Sequence, residues 1–395
     1  MLLFDDIARA EKRPRRQNEG GFDYLNTSAR PHISAIRGLL ESWFEHLPDI
    51  AKSDVRGRFR SREEAQHRGA FFELYWHELL LRSGYEVEVH PPLPHAATNP
   101  DFLARRNKIS RFYLEATLAS PAREDCAADS RLAEFHDALD RMESPDFFLH
   151  VEYRGSPKDN IRGRPLRERL ERWLGQLDVD KVAQLYRDRN PAAVPALTLS
   201  QQGVLLTFTP IPKGPETRGR PGVRPVGIMM PMEMQEVRTQ DDIRAAVEGK
   251  ATKYGDIDLP LIVAVNVIDD YCDDDEILNA LFGEQQVLAI RQPNGTWIDK
   301  WDTRAPNGAW RGRVGARNTL VSAAIVIHQL LPSTLRACAV RLIHNPWATH
   351  PLPMDLLPIP QYAISLSDGR INYQGGTQAA DVLGIPNRWP IPDPY

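Results

Sequence analysis

Three acidic side chains carry the clearest chemistry in this 395-residue chain: Glu73 in Arg68-Gly69-x-x-x-Glu73, Asp101 in Pro100-Asp101, and Glu115 in Glu115-Ala116-Thr117. Carboxylates brought together from separate elements can hold one hard divalent cation. Hydrolysing a phosphodiester near neutral pH calls for such a cation, which polarises the phosphate and lowers the pKa of bound water. Mg²⁺ takes oxygen ligands in octahedral geometry and is often held by only one or two carboxylates. Two carboxylates on neighbouring strands are costly unless a cation neutralises them, so an inward-facing Asp101–Glu115 pair points to a metal.

The elements that must position these groups are legible from apolar spacing. A helix is predicted over Pro31–His46, with Ile33, Ile36, Leu39, Leu40 and Phe44 on one face and Pro31 suited to its first turn. In Lys52–Arg68, Arg56, Arg58, Arg60 and Arg62 alternate with small or aromatic residues. A second helix runs on to about Ser83, with Phe72, Tyr75, Trp76, Leu79 and Leu80 buried and Gly84 as its C′ residue. Strands are expected at Tyr85–His90, Asp101–Arg106 and Arg111–Leu118. Period 2 along the third places Glu115 and Thr117 on one side, and Phe112, Leu114, Ala116 and Leu118 on the other.

Beyond Thr117 the spacing predicts a helix over Ala128–Met142, a strand at Asp146–Arg154, one or two helices in Pro165–Arg187 and a strand at Val204–Ile211. A helix over Gln240–Tyr254 carries Lys250 and Lys253. Leu259–Val267 is a continuous apolar strand of the kind buried on both faces. A short helix (Asp273–Phe282), a short strand (Val287–Arg291), and strands in Arg317–Leu331 and Ala337–His344 follow. Residues 1–30 are polar and read as a loosely attached arm. Helix, three strands, helix and strand fill residues 64–154, which makes the class α/β with β-rich and helical additions.

The order Gly-x-x-x-Glu, strand, Pro-Asp, then Glu-x-Thr resembles the PD-(D/E)xK nuclease superfamily, over roughly residues 64–154. Gly84-Tyr85-Glu86-Val87 is similar to that family's first strand and Phe112-Tyr113-Leu114-Glu115 to its third. The resemblance implies a restriction-endonuclease-like core, a mixed central sheet flanked by helices. By carry-over, Asp101 and Glu115 would be ligands of Mg²⁺ or Mn²⁺ and Glu73 a further ligand. Thr117 departs from the pattern, because the family usually has a lysine there to orient the attacking water and offset charge. Lys250 and Lys253 resemble a relocated lysine on a helix ahead of the core's last strand. Two closures of the core are therefore open: the local Ala128–Arg154, which is favoured for the fold, or Gln240–Val267 with residues 120–237 inserted. The corresponding division is an N-terminal arm and helix (1–50), a nuclease-like core (51–155), a helical and loop insertion (156–237), and a helix-strand unit with a β-rich region (238–395).

On this resemblance the expected activity is metal-dependent cleavage of DNA, in a setting of prokaryotic restriction or anti-phage defence. The competing expectation is an inactive nucleic-acid-binding or assembly module that lost its lysine. Arg56, Arg58, Arg60, Arg62 and Arg68 suit phosphate contacts, which supply affinity without reading sequence. A solvated, internally paired face is the plainer alternative. DNA is the expected partner, with a second copy of the chain or a protein of a multi-component system as others.

Other features point to structure more than to chemistry. His77 follows Glu73 by four residues and is expected at the edge of the core. The acidic run Asp269, Asp270, Asp273, Asp274, Asp275 and Glu276 lacks the glycine and spacing of an EF-hand loop, so helix capping is its expected role. Lys213–Arg224 and Arg304–Arg317 are basic loops, and His344, Trp347 and His350 lack a partner at zinc spacing. Walker, dinucleotide and serine-elbow patterns are absent from the sequence. A formal net charge of −4 excludes a general polycation. Three widely spaced cysteines give no disulfide framework, and the longest apolar run is about half a membrane span. A charge-interrupted N-terminus adds to the expectation of a cytoplasmic protein without membrane attachment.

Overall fold

The computed structural model describes the chain apart from residues 95, 97, 120–122, 221–224, 232–238, 270, 293, 294, 296, 366–369 and 391–395; the side chains of 123–129, 228, 230, 231, 290, 291 and 297–302 are likewise outside it. Arg224 and Asp270 of the basic and acidic runs thus lie outside the described residues, as does the Cys126 side chain. The chain forms two compact units. The first comprises Met1–Arg13, Gly20–Pro121 and Arg238–Tyr395, and the second Pro14–Glu19 and Ala122–Val237.

The first unit begins with helices α1 (Gly21–Thr27), α2 (Pro31–His46), α3 (Asp49–Phe59) and α4 (Glu64–Arg82), followed by strands β1 (Glu86–Val89), β2 (Phe102–Arg106) and β3 (Ile109–Ala119). The second unit supplies α5 (Arg123–Leu139), β4 (Phe147–Arg154), α6 (Gly163–Leu174), α7 (Val179–Arg187), β5 (Leu197–Gln201), β6 (Val204–Pro212) and β7 (Val226–Pro231). The chain then re-enters the first unit with α8 (Thr239–Ala251), β8 (Leu261–Val267), α9 (Asp274–Phe282), the ribbon β9 (Gln285–Arg291) and β10 (Trp297–Arg304), and the short pair β11 (Arg311–Gly312) and β12 (Gly315–Ala316). It closes with β13 (Val321–His328), β14 (Arg341–His344), β15 (Gln361–Ile364), β16 (Ile371–Gln374) and α10 (Ala379–Val382).

The fold is mixed α/β. Its eight-stranded sheet has the order β1-β2-β3-β8-β13-β14-β15-β16. Strands β1, β2 and β3 form an antiparallel meander, and β3, β8 and β13 run parallel. Alternation along β8 explains the two layers that flank this sheet. Ile262 and Ala264 join the core formed with α2 and α4, including Trp43, Phe72 and Trp76. Val263 and Val265 join the opposite core, with Ile243, Val247 and Ala251 of α8 and Ile277 and Leu281 of α9. Every residue of β8 is buried, as an uninterrupted apolar strand between two helix layers requires.

Two expectations are corrected. The strand beside β3 is β8 and not Phe147–Arg154, which instead pairs antiparallel with β6 and parallel with β7 in a separate four-stranded sheet. Alternating apolar side chains let Phe147, Leu149 and Val151 build a core with α5 and α6, so that strand has its own packing partners. Residues 1–30 are not a loose arm. Leu3, Phe4, Phe22, Tyr24 and Leu25 are buried, and Phe4 packs edge-on against Phe59. The Glu41 carboxylate accepts the amides of Leu3 at 2.7 Å and Phe4 at 3.1 Å, fixing the segment.

Candidate active site

Strand β3 carries Glu115 on the face that packs against α8. Its neighbour on that face, Tyr113, belongs to the core of α8 and α9, whereas Phe112 and Leu114 belong to the α4 core. Glu115 is 1% exposed. A carboxylate so deep is tolerated only with charge-assisted partners. Lys250 Nζ donates to Oε1 at 2.5 Å and Lys253 Nζ to the same oxygen at 3.1 Å. The Tyr254 hydroxyl and the Asp101 amide (3.2 Å) donate to Oε2.

Both lysines come from the end of α8, where cations also offset the negative end of the helix dipole. Lys250 sits in the last turn, and Lys253 follows with its amide bonded to the Lys250 carbonyl. Val247 and Ala251 seal this helix to the sheet, which holds the lysine stems over β3. Tyr254 was not among the expected site residues. Its signal is the spacing Lys250-x-x-Lys253-Tyr254, three donors on one helical turn and its exit. Burial and the Glu115 carboxylate both push its phenol well above the usual tyrosine range.

Asp101 stands just ahead of β2. The register that pairs Phe102 with Leu114 brings it beside Glu115. Its Oδ2 accepts the Ala116 amide at 2.7 Å, while Glu115 accepts the backbone amide of Asp101 itself. Burial, then the neighbouring Glu115 and Glu73 carboxylates, push the Asp101 carboxyl up to about 8, against the smaller opposing effects of the Ala116 amide and Lys250.

Glu73, on α4, has both oxygens engaged by Arg58 in a two-pronged pair of 2.7 and 2.6 Å. It acts on Asp101 through its charge, while each of its oxygens accepts one bond from the guanidinium. Among the described residues, Glu73, Asp101 and Glu115 do not form a set of three with ligand atoms all within 4.8 Å of one another. Among the described residues, His136, Asp137 and Asp140 form the one set of three ligand side chains with donor atoms within 4.8 Å of one another. There Asp137 accepts the amides of Gln17 (2.6 Å) and Asn18 (2.9 Å), a fastening role within the second unit. In the first unit, Asp101 and Glu115 lie side by side, and a hard cation shared between them would have to displace one of the donors, Lys250, Lys253, Tyr254 or the Asp101 amide, that now engage Glu115. Thr117 lies half-buried on the same strand and brings no positive charge.

The arginine segment is largely engaged internally. Besides Arg58, Arg56 donates to the Leu2 carbonyl at 2.7 Å, and Arg68 pairs with Glu64 at 3.1 Å. Arg60 bonds Asp5 at 2.7 Å and lies 4.6 Å over the Phe22 ring. Arg62 alone of the five is widely exposed, 3.8 Å from Asp23. These residues lie in α3, its exit and the start of α4. Of the basic loops, Lys213 is buried and donates to the Ser144 carbonyl at 2.6 Å, and Arg218 pairs with Asp180 at 3.0 Å.

His77 is buried, deeper than the core edge expected of it, and burial holds its imidazole down at about 4. The acidic run caps a helix as expected, with Asp273 accepting the Glu276 amide at 2.9 Å ahead of α9. His344 bonds Gln361 at 2.7 Å. No helix among the described residues is long and apolar enough to cross a membrane. Compared with family models, curated proteins and solved structures, the chain matches none of them.

Proposed function

We propose that this chain is a metal-dependent nuclease with a restriction-endonuclease-like core, closed by α8 and β8, in which a lysine from α8 takes the place of the missing motif lysine at Thr117. The observation that carries this reading is the convergence of Lys250 and Lys253 on Glu115, beside Asp101. Asp101 and Glu115 would hold Mg²⁺ or Mn²⁺, which supplies Lewis acidity to a phosphodiester and a lowered pKa to water. Lys250 and Lys253 place positive charge where a phosphoryl group gains negative charge, and either can orient a water by donating to it. Tyr254 and the Asp101 amide hold the far oxygen of Glu115, fixing the carboxylate's plane. DNA is the proposed substrate, and defence against foreign DNA the proposed setting.

The test is cleavage of plasmid and single-stranded DNA with and without Mg²⁺, by wild type, Asp101→Asn, Glu115→Gln, Lys250→Ala and Lys253→Ala. Loss of a positioned acid–base or water-orienting group costs about 10²–10⁴-fold in rate. Cleavage that persists in both carboxylate variants would sink the proposal. Loss in one lysine variant only would identify the relocated lysine.

A second reading has its own support. Glu115 is fully engaged by two ammonium groups, a phenol and an amide, and Glu73 by Arg58, so much of the polar cluster is satisfied as a structural network. On that reading the chain is an inactive nucleic-acid-binding or assembly module. DNA binding by wild type without cleavage in either metal would favour it.

A further inference from the structure

Four donors engage the Glu115 carboxylate, and they divide by kind between its two oxygens. Oε2 accepts the Tyr254 phenol and the Asp101 backbone amide, both neutral. Tyr254 is buried, and a main-chain amide cannot turn away, so this side of the carboxylate is fixed. Among the described residues Oε1 accepts only ammonium groups, Lys250 at 2.5 Å and Lys253 at 3.1 Å. Their side chains are 22% and 33% exposed, so neither is sealed in the core. A lysine ammonium rides on a flexible four-carbon stem and can change partners without disturbing the helix that carries it.

Asp101 shows a similar division. Its Oδ2 accepts the Ala116 amide at 2.7 Å, whereas its Oδ1 accepts no hydrogen bond among the described residues. The Lys250 charge acts on Asp101 as well, so this ammonium serves both acids. The pair thus offers a cation one open oxygen on Asp101 and, on Glu115, one oxygen held by donors that can leave. An ammonium and a divalent ion on the same oxygen repel each other strongly at such short range, the more so in a site withdrawn from water.

We propose that Lys250 is a placeholder for the divalent cation: it holds Oε1 of Glu115 in the metal-free chain and must release that oxygen before a cation can be shared with Asp101. The inference rests on the nuclease reading and adds regulation to it. Release frees the Lys250 ammonium to donate to a phosphate oxygen of the substrate, so one exchange both admits the cation and arms the lysine. Tyr254 and the Asp101 amide keep Glu115 in place through the exchange.

The test is calorimetric titration of the full chain with Mg²⁺, for wild type, Lys250→Met, Lys253→Met and Tyr254→Phe. Lys250→Met should bind Mg²⁺ about tenfold or more tightly than wild type, the order expected when a competing like charge is removed from the ion's own ligand. Lys253→Met, whose bond is the longer, should gain less, and Tyr254→Phe, which alters only the far oxygen, should not gain. Binding by wild type that Lys250→Met fails to tighten overturns the placeholder and leaves the metal site standing. An equal gain in Lys253→Met, which makes the same change of charge, would show a general field effect and overturn the assignment to Lys250. Absence of Mg²⁺ binding from every chain overturns the metal site itself, and the placeholder with it. Circular dichroism verifies folding, and Lys250→Gln replaces Lys250→Met if the latter does not fold.

Discussion

The Nζ of Lys250 lies 2.5 Å from Oε1 of Glu115, although 135 positions separate the two residues in the chain. This bond ties the end of α8 to the middle of β3 and gives the 1% exposed Glu115 carboxylate a charged partner. Breaking one side of a buried ion pair leaves the other charge uncompensated, at a typical cost of about 3–5 kcal/mol. Lys253 and Tyr254 share the load here, so Lys250→Ala is expected to cost less, about 1–3 kcal/mol. Urea unfolding checks this. Combining Lys250→Ala with Glu115→Gln should recover part of the loss, because the neutral amide no longer needs the ammonium. A double variant no better than the sum of the singles would show that the pair is not coupled.

Asp101 makes stability fall as pH rises. Its ordinary value is 3.8 and its value in the fold about 8, so between them the folded chain binds more protons than the unfolded one. The contribution is fully present below 3.8 and is lost as pH climbs to about 8. Thermal melts across that window should show Asp101→Asn gaining on wild type with rising pH. A cation at the acidic pair reverses the effect, since it favours the ionised carboxyl and displaces the proton. Mg²⁺ should therefore stabilise wild type more at pH 8 than at pH 6 and leave Asp101→Asn little changed. A Mg²⁺ effect independent of pH would count against Asp101 as a ligand.

Burial of His77 acts in the opposite sense. The imidazole is held at about 4, below its ordinary 6.5, so the unfolded chain takes up the proton first. The stability it confers is present above 6.5 and is lost as pH falls toward 4. Replacing His77 with a leucine, which cannot charge, should flatten the acid limb of a pH–stability curve. An unchanged acid limb would mean that the ring is not titrating in that window.

Legibility from sequence followed the range of the interactions. Helix Pro31–His46 has the expected ends, because its apolar stripe and N1 proline are local signals. Glu115 and Thr117 share a strand face because the pleat has period 2, and β8 is buried throughout because its sequence is apolar throughout. Which strand would lie beside β3 was not legible. Phe147–Arg154 and Leu261–Val267 are both good strands, and only tertiary pairing separates them. The same holds for the arginines: their type suggests phosphate, but Asp5, Glu73 and the Leu2 carbonyl reach them from other elements. Tyr254 escaped notice because one phenol beside two lysines looks like an ordinary helix end. The Lys250 and Lys253 convergence on Glu115 was legible as a candidate because their helix precedes an apolar strand suited to the sheet interior.

The most discriminating prediction concerns the field that Glu73 exerts on Asp101. Arg58 grips Glu73 through two bonds of 2.7 and 2.6 Å, and this carboxylate in turn raises the Asp101 carboxyl, as does Glu115 more strongly. Neutralising Glu73 as Glu73→Gln removes a repulsive charge, so Asp101 should titrate lower than about 8. Glu115→Gln should lower it further, following the order of the two effects. Arg58→Met, which leaves the Glu73 charge uncompensated, should move Asp101 upward. Carboxyl ¹³C NMR titration reads all three in the metal-free chain. The set separates two roles for Glu73: a charge that tunes Asp101 without touching the cation, and a ligand. If Mg²⁺ affinity falls tenfold or more in Glu73→Gln while Asp101 titrates unchanged, Glu73 acts as a ligand. If Asp101 moves down and Mg²⁺ affinity falls only modestly, its part is electrostatic, and the acidic pair on β2 and β3 is the metal-binding centre.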